Sequence, residues 1–452
     1  MVGNVDVAAL RLAPRNPLPR SQQIKAARAF HTGCEALRDA GGPVTRLALT
    51  WMLPPVVVTT SPKGARDVLS RSYPFVDRTQ PVFSEYRRIV GGSLFDLKHD
   101  AWLPRRRALQ PLFAKQHVAQ FAKHMAEGAD KLSHAWGDGA ELDLDYECRR
   151  LTLQMLAQSV LGLDLGARAD ALLGVPLRTA TTYITDRAVR PVHAPWWLPT
   201  PARQRARAAC ASFHKLADDV LQACRADPAR DAPLVRALLD LADPQTGQPL
   251  SDEDIRHELV SFVGAGHDTT ATTLTYALWA LGRHPELQDR VAAEVAAVGD
   301  RPLTADDVPR LGYTVQVLHE ALRLCPPAAA TTRTVTKDFD VDGYRVETGS
   351  WVIVGIYAMH RDPALWDHPL VFDPNRFSPS NSKDRDRWQY LPFGGGPRSC
   401  IADHFAMLEA TLGLATIIRH AEIQSLDDDF PLAVPLTMVA GGPIPARVRL
   451  RN

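Results

Sequence analysis

Apolar residues recur at helical spacing from about residue 100 to residue 325, and this run constrains the fold more than any other feature of the chain. A helix with one apolar stripe must bury that stripe against neighbouring elements. Two proline-containing breaks, at residues 191–201 and 227–233, interrupt the run. The sequence therefore predicts a mostly helical body.

Strand signals lie toward both ends of the chain. Residues 44–60, 339–354 and 436–450 are rich in β-branched or alternating apolar residues, which is typical of strands. Residues 22–39 predict one amphipathic helix, and Pro62 predicts the first turn of another. We expect a mainly α fold with small β-sheets. Because no linker is visible, we also expect residues 1–452 to form one domain, although this length exceeds the usual single core.

Composition narrows the class of protein. Hydrophobic residues make up 45% of the chain, charged residues 23%, and the formal net charge is +1, so no overall field favours nucleic acid. The six cysteines form no Cys-x-x-Cys pair, which fits a reducing compartment. No run approaches the roughly 20 apolar residues of a transmembrane helix, and no signal pattern is visible. We expect a cytoplasmic monomer without a membrane anchor.

One cysteine near the C-terminus follows a glycine-rich turn and precedes a helical stretch, in Phe393-Gly-Gly-Gly-Pro-Arg-Ser-Cys-Ile-Ala402. A thiolate at a helix start has a lowered pKa and binds soft metals well. The glycines let the backbone pass close beneath a flat ligand, and Arg398 is placed to neutralise an acidic group on it. Taken alone, Cys400 is more often a small buried hydrophobe. The joint spacing of the phenylalanine, the glycines, the arginine and the cysteine instead favours Cys400 as a metal ligand.

Residues 255–281 predict one long helix with an unfavourable middle. Gly264, Gly266 and five threonines oppose helix formation there, and such local conflict tends to mark a functional site. The glycines would let a planar ligand approach, while Thr269 turns its hydroxyl outward beside the Asp268 carboxylate. The alternative is a packed helix with ordinary glycine and threonine contacts. A dinucleotide fingerprint is excluded, because residue 269 is not glycine and no strand precedes it.

A carboxylate and a guanidinium share one face of a further helix, at Glu320 and Arg323. The preceding His319 suggests a His-Glu-x-x-His zinc site, but Arg323 stands where the second histidine would be. Hydrolytic zinc chemistry is therefore not expected. An exposed pair of this kind would contribute only about 0.2–0.5 kcal/mol.

Together these segments resemble the cytochrome P450 family, in its soluble bacterial form. The family pattern Phe-Gly-x-Gly-x-Arg-x-Cys-x-Gly is matched except at its last position, which is Ala402. Ala265–Thr270 matches Ala-Gly-x-Asp-Thr-Thr, and Glu320 and Arg323 match Glu-x-x-Arg. The resemblance implies a long central helix over a haem, with the cysteine loop on the opposite face. It implies a haem-thiolate monooxygenase that uses haem b and takes O2 as co-substrate.

The resemblance also assigns roles to individual residues. It makes Cys400 the axial ligand of the haem iron and gives Asp268 and Thr269 catalytic roles in oxygen activation and proton delivery. It also implies two further sets of residues. The other haem-binding residues are Trp102, Arg106, Ala265, Arg333, Phe393 and Arg398, and the structural group that holds the haem loop is Glu320, Arg323 and Arg376.

The implied partners are an apolar substrate and an electron donor. A terpenoid, steroid, fatty acid or polyketide would suit the mainly apolar segments expected to form the substrate walls, which are residues 75–94, 191–199, 328–332 and 432–434 with Phe262 and Ala265. No fused reductase domain is visible, so we expect a separate ferredoxin or flavodoxin with its NAD(P)H reductase. Arg105 and Arg107 are predicted to attract that acidic partner.

Two other functions remain open from the sequence. In one, the haem rearranges a peroxide or epoxide without external electrons, although relatives of that kind often lose the acid and threonine that are present here. In the other, the protein is a haem sensor or ligand carrier without turnover.

Overall fold

Helices fill the middle of the chain and short strands lie toward both ends, which confirms the mainly α prediction. The structure is a computed structural model that describes residues 6–49, 53–189 and 194–451. Its helices are α1 Arg20–Arg28, α2 Phe30–Gly41, α3 Pro62–Leu69, α4 Pro81–Ile89, α5 His99–Leu109, α6 Lys115–Val118, α7 Ala122–His134, α8 Leu144–Leu161, α9 Val175–Val189, α10 Pro201–Ala226, α11 Pro233–Leu239, α12 Asp252–Arg283, α13 Pro285–Ala296, α14 Gly312–Leu324, α15 Ile356–His360, α16 Pro379–Ser382 and α17 Asp403–His420.

The strands form small sheets rather than a continuous one. They are β1 Val44–Leu47, β2 Val56–Thr59, β3 Val76–Asp77, β4 Glu141–Asp143, β5 Thr331–Val335, β6 Phe339–Val341, β7 Tyr344–Val346, β8 Trp351–Val354, β9 Ala421–Ser425, β10 Leu432–Ala433, β11 Val439–Ala440 and β12 Pro445–Leu450. The largest sheet has the order β1-β2-β8-β5-β3, and a second has the order β4-β12-β9. Strand β2 therefore joins the N-terminal hairpin to strand β8, which follows the helical body in the chain.

Helix α12 runs through the centre of the helical body. It is 32 residues long, or about 48 Å at 1.5 Å per residue. The Ser251 hydroxyl caps it by accepting from the Asp254 N–H, and three acidic residues in its first turn suit the positive end of the helix. It packs against α8, α10, α14 and α17. These contacts bury apolar residues along most of its length and position its middle turns.

Local details differ from the sequence-based expectations. The single helix expected over residues 22–39 is two helices, because Ala29 leaves helical geometry with φ −104° and ψ 67°. Strand β4 interrupts the helical run, and β9 was not expected, since strands this short show little periodicity. Residues 191–193 of the first predicted break lie outside the described residues.

Candidate active site

Cys400 sits at the end of a tight loop that leads into α17. The Cys400 N–H donates to the Phe393 carbonyl over 2.8 Å, which closes the loop. Gly396 has a φ of +70°, and a Cβ atom there would lie 1.8 Å from the Leu69 carbonyl oxygen. Only glycine therefore lets this loop rest against the end of α3. Cys400 is exposed, whereas the other five cysteines are buried.

The environment of the Cys400 thiol differs from the expectation of a lowered pKa. Burial raises the pKa to about 11, while a hydrogen bond from the Ala402 backbone and the charge of Arg106 act in the opposite direction. Cys400 is nevertheless an exposed residue, so a ligand can reach it. A thiol in this setting ionises when it binds a metal ion, because the coordinating cation favours the thiolate.

The middle of α12 presents a small open surface. Ala265 is exposed although it lies halfway along a largely buried helix, and Thr269 is partly exposed one turn later. The Thr269 hydroxyl donates to the Ala265 carbonyl over 2.8 Å. Its oxygen can still accept a hydrogen bond, and its proton can be released by rotation about χ1.

The two glycines of α12 do not serve the purpose expected of them. A Cβ atom at Gly264 would lie 3.2 Å from Leu177 of α9, and one at Gly266 would lie 3.0 Å from Leu156 of α8. Both glycines therefore allow neighbouring helices to approach closely. The exposed surface comes from Ala265, which lies between them.

Asp268 points away from Thr269 and into the contact between α12 and α8. Its Oδ1 accepts from Nη1 of Arg149, and Nε of Arg149 donates to Asp145 over 2.6 Å. Both side chains are close to nine-tenths buried. Arg149 was missed by the sequence analysis, because its position in α8 carries no motif and its partner is 119 residues away.

Two buried arginines lie together beside the cysteine loop. Burial lowers the pKa of Arg333 and of Arg398 to about 10, and the charge of Arg398 contributes to the shift of Arg333. Arg78, which the sequence analysis missed, adds a third charge, and its pKa is lowered by burial and by both neighbours. Asp77 accepts from Arg398 over 3.1 Å. This excess of buried positive charge fits a ligand with carboxylate groups.

Trp102 and Arg106 lie on α5 at different parts of the site. The Arg398 guanidinium stacks over the Trp102 ring, 4.2 Å from its centroid, which places the buried indole with the arginine cluster. Arg106 instead donates to the Ser399 carbonyl over 3.0 Å and to Gln110 over 2.6 Å. It therefore supports the backbone next to Cys400.

Glu320, Arg323 and Arg376 meet in the structure. Arg323 donates to both carboxylate oxygens of Glu320, over 2.7 and 2.8 Å, and neither side chain is exposed. Nε of Arg376 lies 3.3 Å from Oε1 of Glu320. Arg323 also donates to the carbonyls of His360 and Pro369, so the group fixes the chain between α15 and the following segment.

A buried carboxyl group at Glu409 was also missed. It lies on α17, and burial raises its pKa to about 8. Neither carboxylate oxygen has a hydrogen-bond partner among the described residues, and the Thr270 hydroxyl on α12 is its polar neighbour. A glutamate within an apolar helix is a sequence signal that could have identified it.

The expectation that Arg105 faces an acidic partner protein is wrong. Its guanidinium lies 2.6 Å from Asp254 and 2.9 Å from Glu258, and only 11% of the side chain is exposed. Arg105 therefore connects α5 to α12. Arg107 is more exposed and lies 3.4 Å from Asp243.

The described part of the chain includes no helix with the length and hydropathy needed to cross a membrane. Of the expected substrate walls, Phe262 is partly buried and Ala265 and Ala328 are exposed, while residues 191–193 lie outside the described ranges.

The chain is similar in sequence to known proteins over most of its length. The family model described as Cytochrome P450 matches residues 14–448. Cyclooctatin synthase from Streptomyces melanosporofaciens is 33% identical over 392 residues, which cover 86% of this chain and 85% of the relative. Pentalenene oxygenase from Streptomyces avermitilis is 29% identical and covers 87% of each chain.

The fold is also similar to that of a solved structure. The crystal structure of the cytochrome P450DA heme domain has a TM-score of 0.82, is 25% identical, and covers 98% of each chain. The extent of these matches includes the cysteine loop, the central helix and the arginine cluster. The chain belongs to the cytochrome P450 family.

Proposed function

We propose that this protein is a haem-thiolate monooxygenase that uses haem b and oxygenates an apolar terpenoid. The observation that carries this proposal is the accessible Cys400 thiol beside a cluster of buried arginines with excess positive charge. A thiolate and cationic groups for two propionates are the features that a protein needs to hold haem with sulfur ligation. Residues 14–448 would act as one catalytic domain.

The residues that would hold haem come from separate elements. Cys400 would provide the axial thiolate, Phe393 would pack beside the sulfur, and Arg333 and Arg398 would pair with the propionates. Arg106 would hold the loop backbone through the Ser399 carbonyl. When bound, thiolate-ligated haem supplies the reductive activation of O2, so that one oxygen atom enters the substrate and the other leaves as water.

Two residues of α12 would control protons in this site. Thr269 Oγ1 holds a proton in a hydrogen bond to Ala265, and rotation about χ1 would present it to the open surface. Asp268 is paired with Arg149, so it can take part in proton transfer only when that pair opens. We infer that Thr269 donates the proton and that Asp268 controls its replacement.

The proposal of a terpenoid substrate is based on the names of two relatives. It is also based on the apolar character of the segments expected to form the walls of the substrate pocket. The relatives named Cyclooctat-9-en-7-ol 5-monooxygenase and Pentalenene oxygenase act, by those names, on an unsaturated alcohol and on an alkene. Ala265 and Ala328 are small and exposed, which leaves room for a bulky hydrocarbon. Electrons would come from a ferredoxin or flavodoxin with its reductase.

Turnover with a surrogate ferredoxin and reductase tests this function. A library of terpenoids, steroids, fatty acids and polyketides is screened first for a blue shift of the Soret band, and compounds that bind are then incubated with NADH. We expect terpenoids to bind and to yield products enlarged by one oxygen atom, with matching O2 uptake. Preferential oxygenation of another class would contradict the substrate assignment, and gas binding without turnover of any compound would contradict the monooxygenase.

A further inference from the structure

We propose that Asp130, His134 and His420 form a binding site for a divalent transition-metal ion such as Zn²⁺. One ligand atom from each side chain lies within 4.8 Å of the other two. Among residues 6–49, 53–189 and 194–451, no other three potential ligands meet that spacing. The site is separate from the haem site, because His420 ends α17, an 18-residue helix that begins just after Cys400 and spans about 27 Å.

The hydrogen bonding of His134 leaves one ring nitrogen free for a metal. Its Nδ1 lies 2.9 Å from the backbone carbonyl oxygen of Asp130, so Nδ1 carries the proton and donates it. In the neutral form of the ring, Nε2 then carries the lone pair that can bind a metal ion. A backbone carbonyl that fixes the tautomer in this way is the usual outer partner of a metal-bound histidine.

His420 and Asp130 are already almost as close to each other as two ligands of one zinc ion are. Nε2 of His420 donates to Oδ1 of Asp130 over 3.0 Å, so this nitrogen gives up its proton when the ion binds. In a tetrahedral zinc site with bonds of about 2.0–2.1 Å, neighbouring ligand atoms are about 3.3 Å apart. The His134 and His420 ring centroids are 4.3 Å apart. Small rotations of these three side chains, two of them exposed, would bring all of them to one ion.

Backbone electrostatics at this position also favour a cation. His134 is the last residue of α7 and His420 is the last residue of α17, so the negative ends of two helices meet here. Arg419 opposes a cation, and the charges that face it are those of Asp300, Asp130, Asp307 and Arg301, while its Nη1 donates to the Arg301 carbonyl over 2.9 Å. A bound ion would connect the C-terminal end of α17 to α7.

Calorimetric titration of Zn²⁺ into tag-free, haem-loaded protein tests the site. We expect one equivalent to bind, and His134→Ala and His420→Ala each to weaken binding at least tenfold. His284→Ala is the matched control, because His284 lies 3.5 Å from Glu286 but belongs to no cluster of three ligands. It should bind Zn²⁺ as the original protein does. Equal affinity in all variants, or no binding by the original protein, would overturn the proposal.

Thermal unfolding provides a second measurement. Zn²⁺ should raise the Tm of the original protein and of His284→Ala, but not of His134→Ala or His420→Ala. If either alanine variant fails to fold, Asp130→Asn replaces it, since it removes one ligand charge with little change in shape. An unchanged Zn²⁺-induced shift in folded Asp130→Asn together with either folded histidine variant would place the ion elsewhere.

Discussion

Arg149 of α8 donates a hydrogen bond to Asp268 of α12, the acid that precedes the exposed Thr269. The pair is largely buried, and Arg149 also bonds Asp145. Asp268 therefore has a specific ionic partner on its side of the helix, while Thr269 faces the open surface. This division separates the group that holds negative charge from the group that presents a proton.

Removal of the Arg149 side chain should destabilise the protein. In Arg149→Met the Asp268 carboxylate stays buried without its partner, and we expect a loss of about 3 kcal/mol in the free energy of unfolding. The double variant Arg149→Met/Asp268→Asn should recover more than half of that loss, because no uncompensated charge remains at Asp268. Denaturant unfolding of the single and double variants measures this. Additive losses would show that the two residues are not coupled.

Loss of the Thr269 hydroxyl should uncouple electron consumption from product formation. We expect Thr269→Val to lower product formed per NADH by at least about tenfold, since a positioned proton donor contributes on the order of 10²-fold or more. Thr269→Ser should retain most of the coupling. Thr273→Val is the matched control, because the Thr273 hydroxyl makes the same bond one turn later, to the Thr269 carbonyl. Equal loss in both valine variants would indicate a structural effect.

Glu409 should make the protein less stable as pH rises. Burial raises its pKa to about 8, so the folded protein holds a proton that the unfolded chain, with a pKa near 4.3, releases. This contribution to stability is complete below about pH 4 and falls by about 1.4 kcal/mol per pH unit up to about pH 8.

Glu409→Gln should remove that dependence. The difference in unfolding free energy between the variant and the original protein should therefore increase in favour of the variant from pH 5 to pH 8. Other buried acids, such as Glu258, are common to both proteins and cancel. Parallel stability curves over this range would show that Glu409 is not protonated in the folded state.

The Glu320–Arg323 pair should contribute far more than its helical spacing suggests. Because neither side chain is exposed, Glu320→Gln leaves the Arg323 charge without its partner and should cost about 3–5 kcal/mol. Lys215 and Asp219 form an exposed pair on α10, and Asp219→Asn should change stability by less than about 0.5 kcal/mol. Urea unfolding of both variants tests this. Similar small effects would mean that the buried group is not needed for folding.

Sequence reasoning identified the residues that belong to local motifs. The Cys400 loop and the Glu320–Arg323 pair are defined by spacing within one turn or one helix, which the sequence shows directly. Arg149 and Arg78 could not be found in this way, because their roles depend on partners more than a hundred residues distant. Arg105 was misassigned for the same reason, since the sequence does not show that α12 covers it.

The same limit applies to the glycines of α12. The sequence shows that Gly264 and Gly266 weaken the helix, but only the packing shows that they face Leu177 and Leu156. Small residues permit close approach on any side of a helix. Which neighbour uses the space is settled by the tertiary fold.

The reduced carbon monoxide difference spectrum tests the central claim most directly. We compare the original protein with Cys400→Ser and with Cys34→Ala, a substitution at a buried cysteine of the N-terminal region. The account predicts a strongly red-shifted Soret band for the original protein and for Cys34→Ala, and its loss in a folded Cys400→Ser variant. A red-shifted band that persists in Cys400→Ser would contradict the assignment of Cys400 as the thiolate ligand.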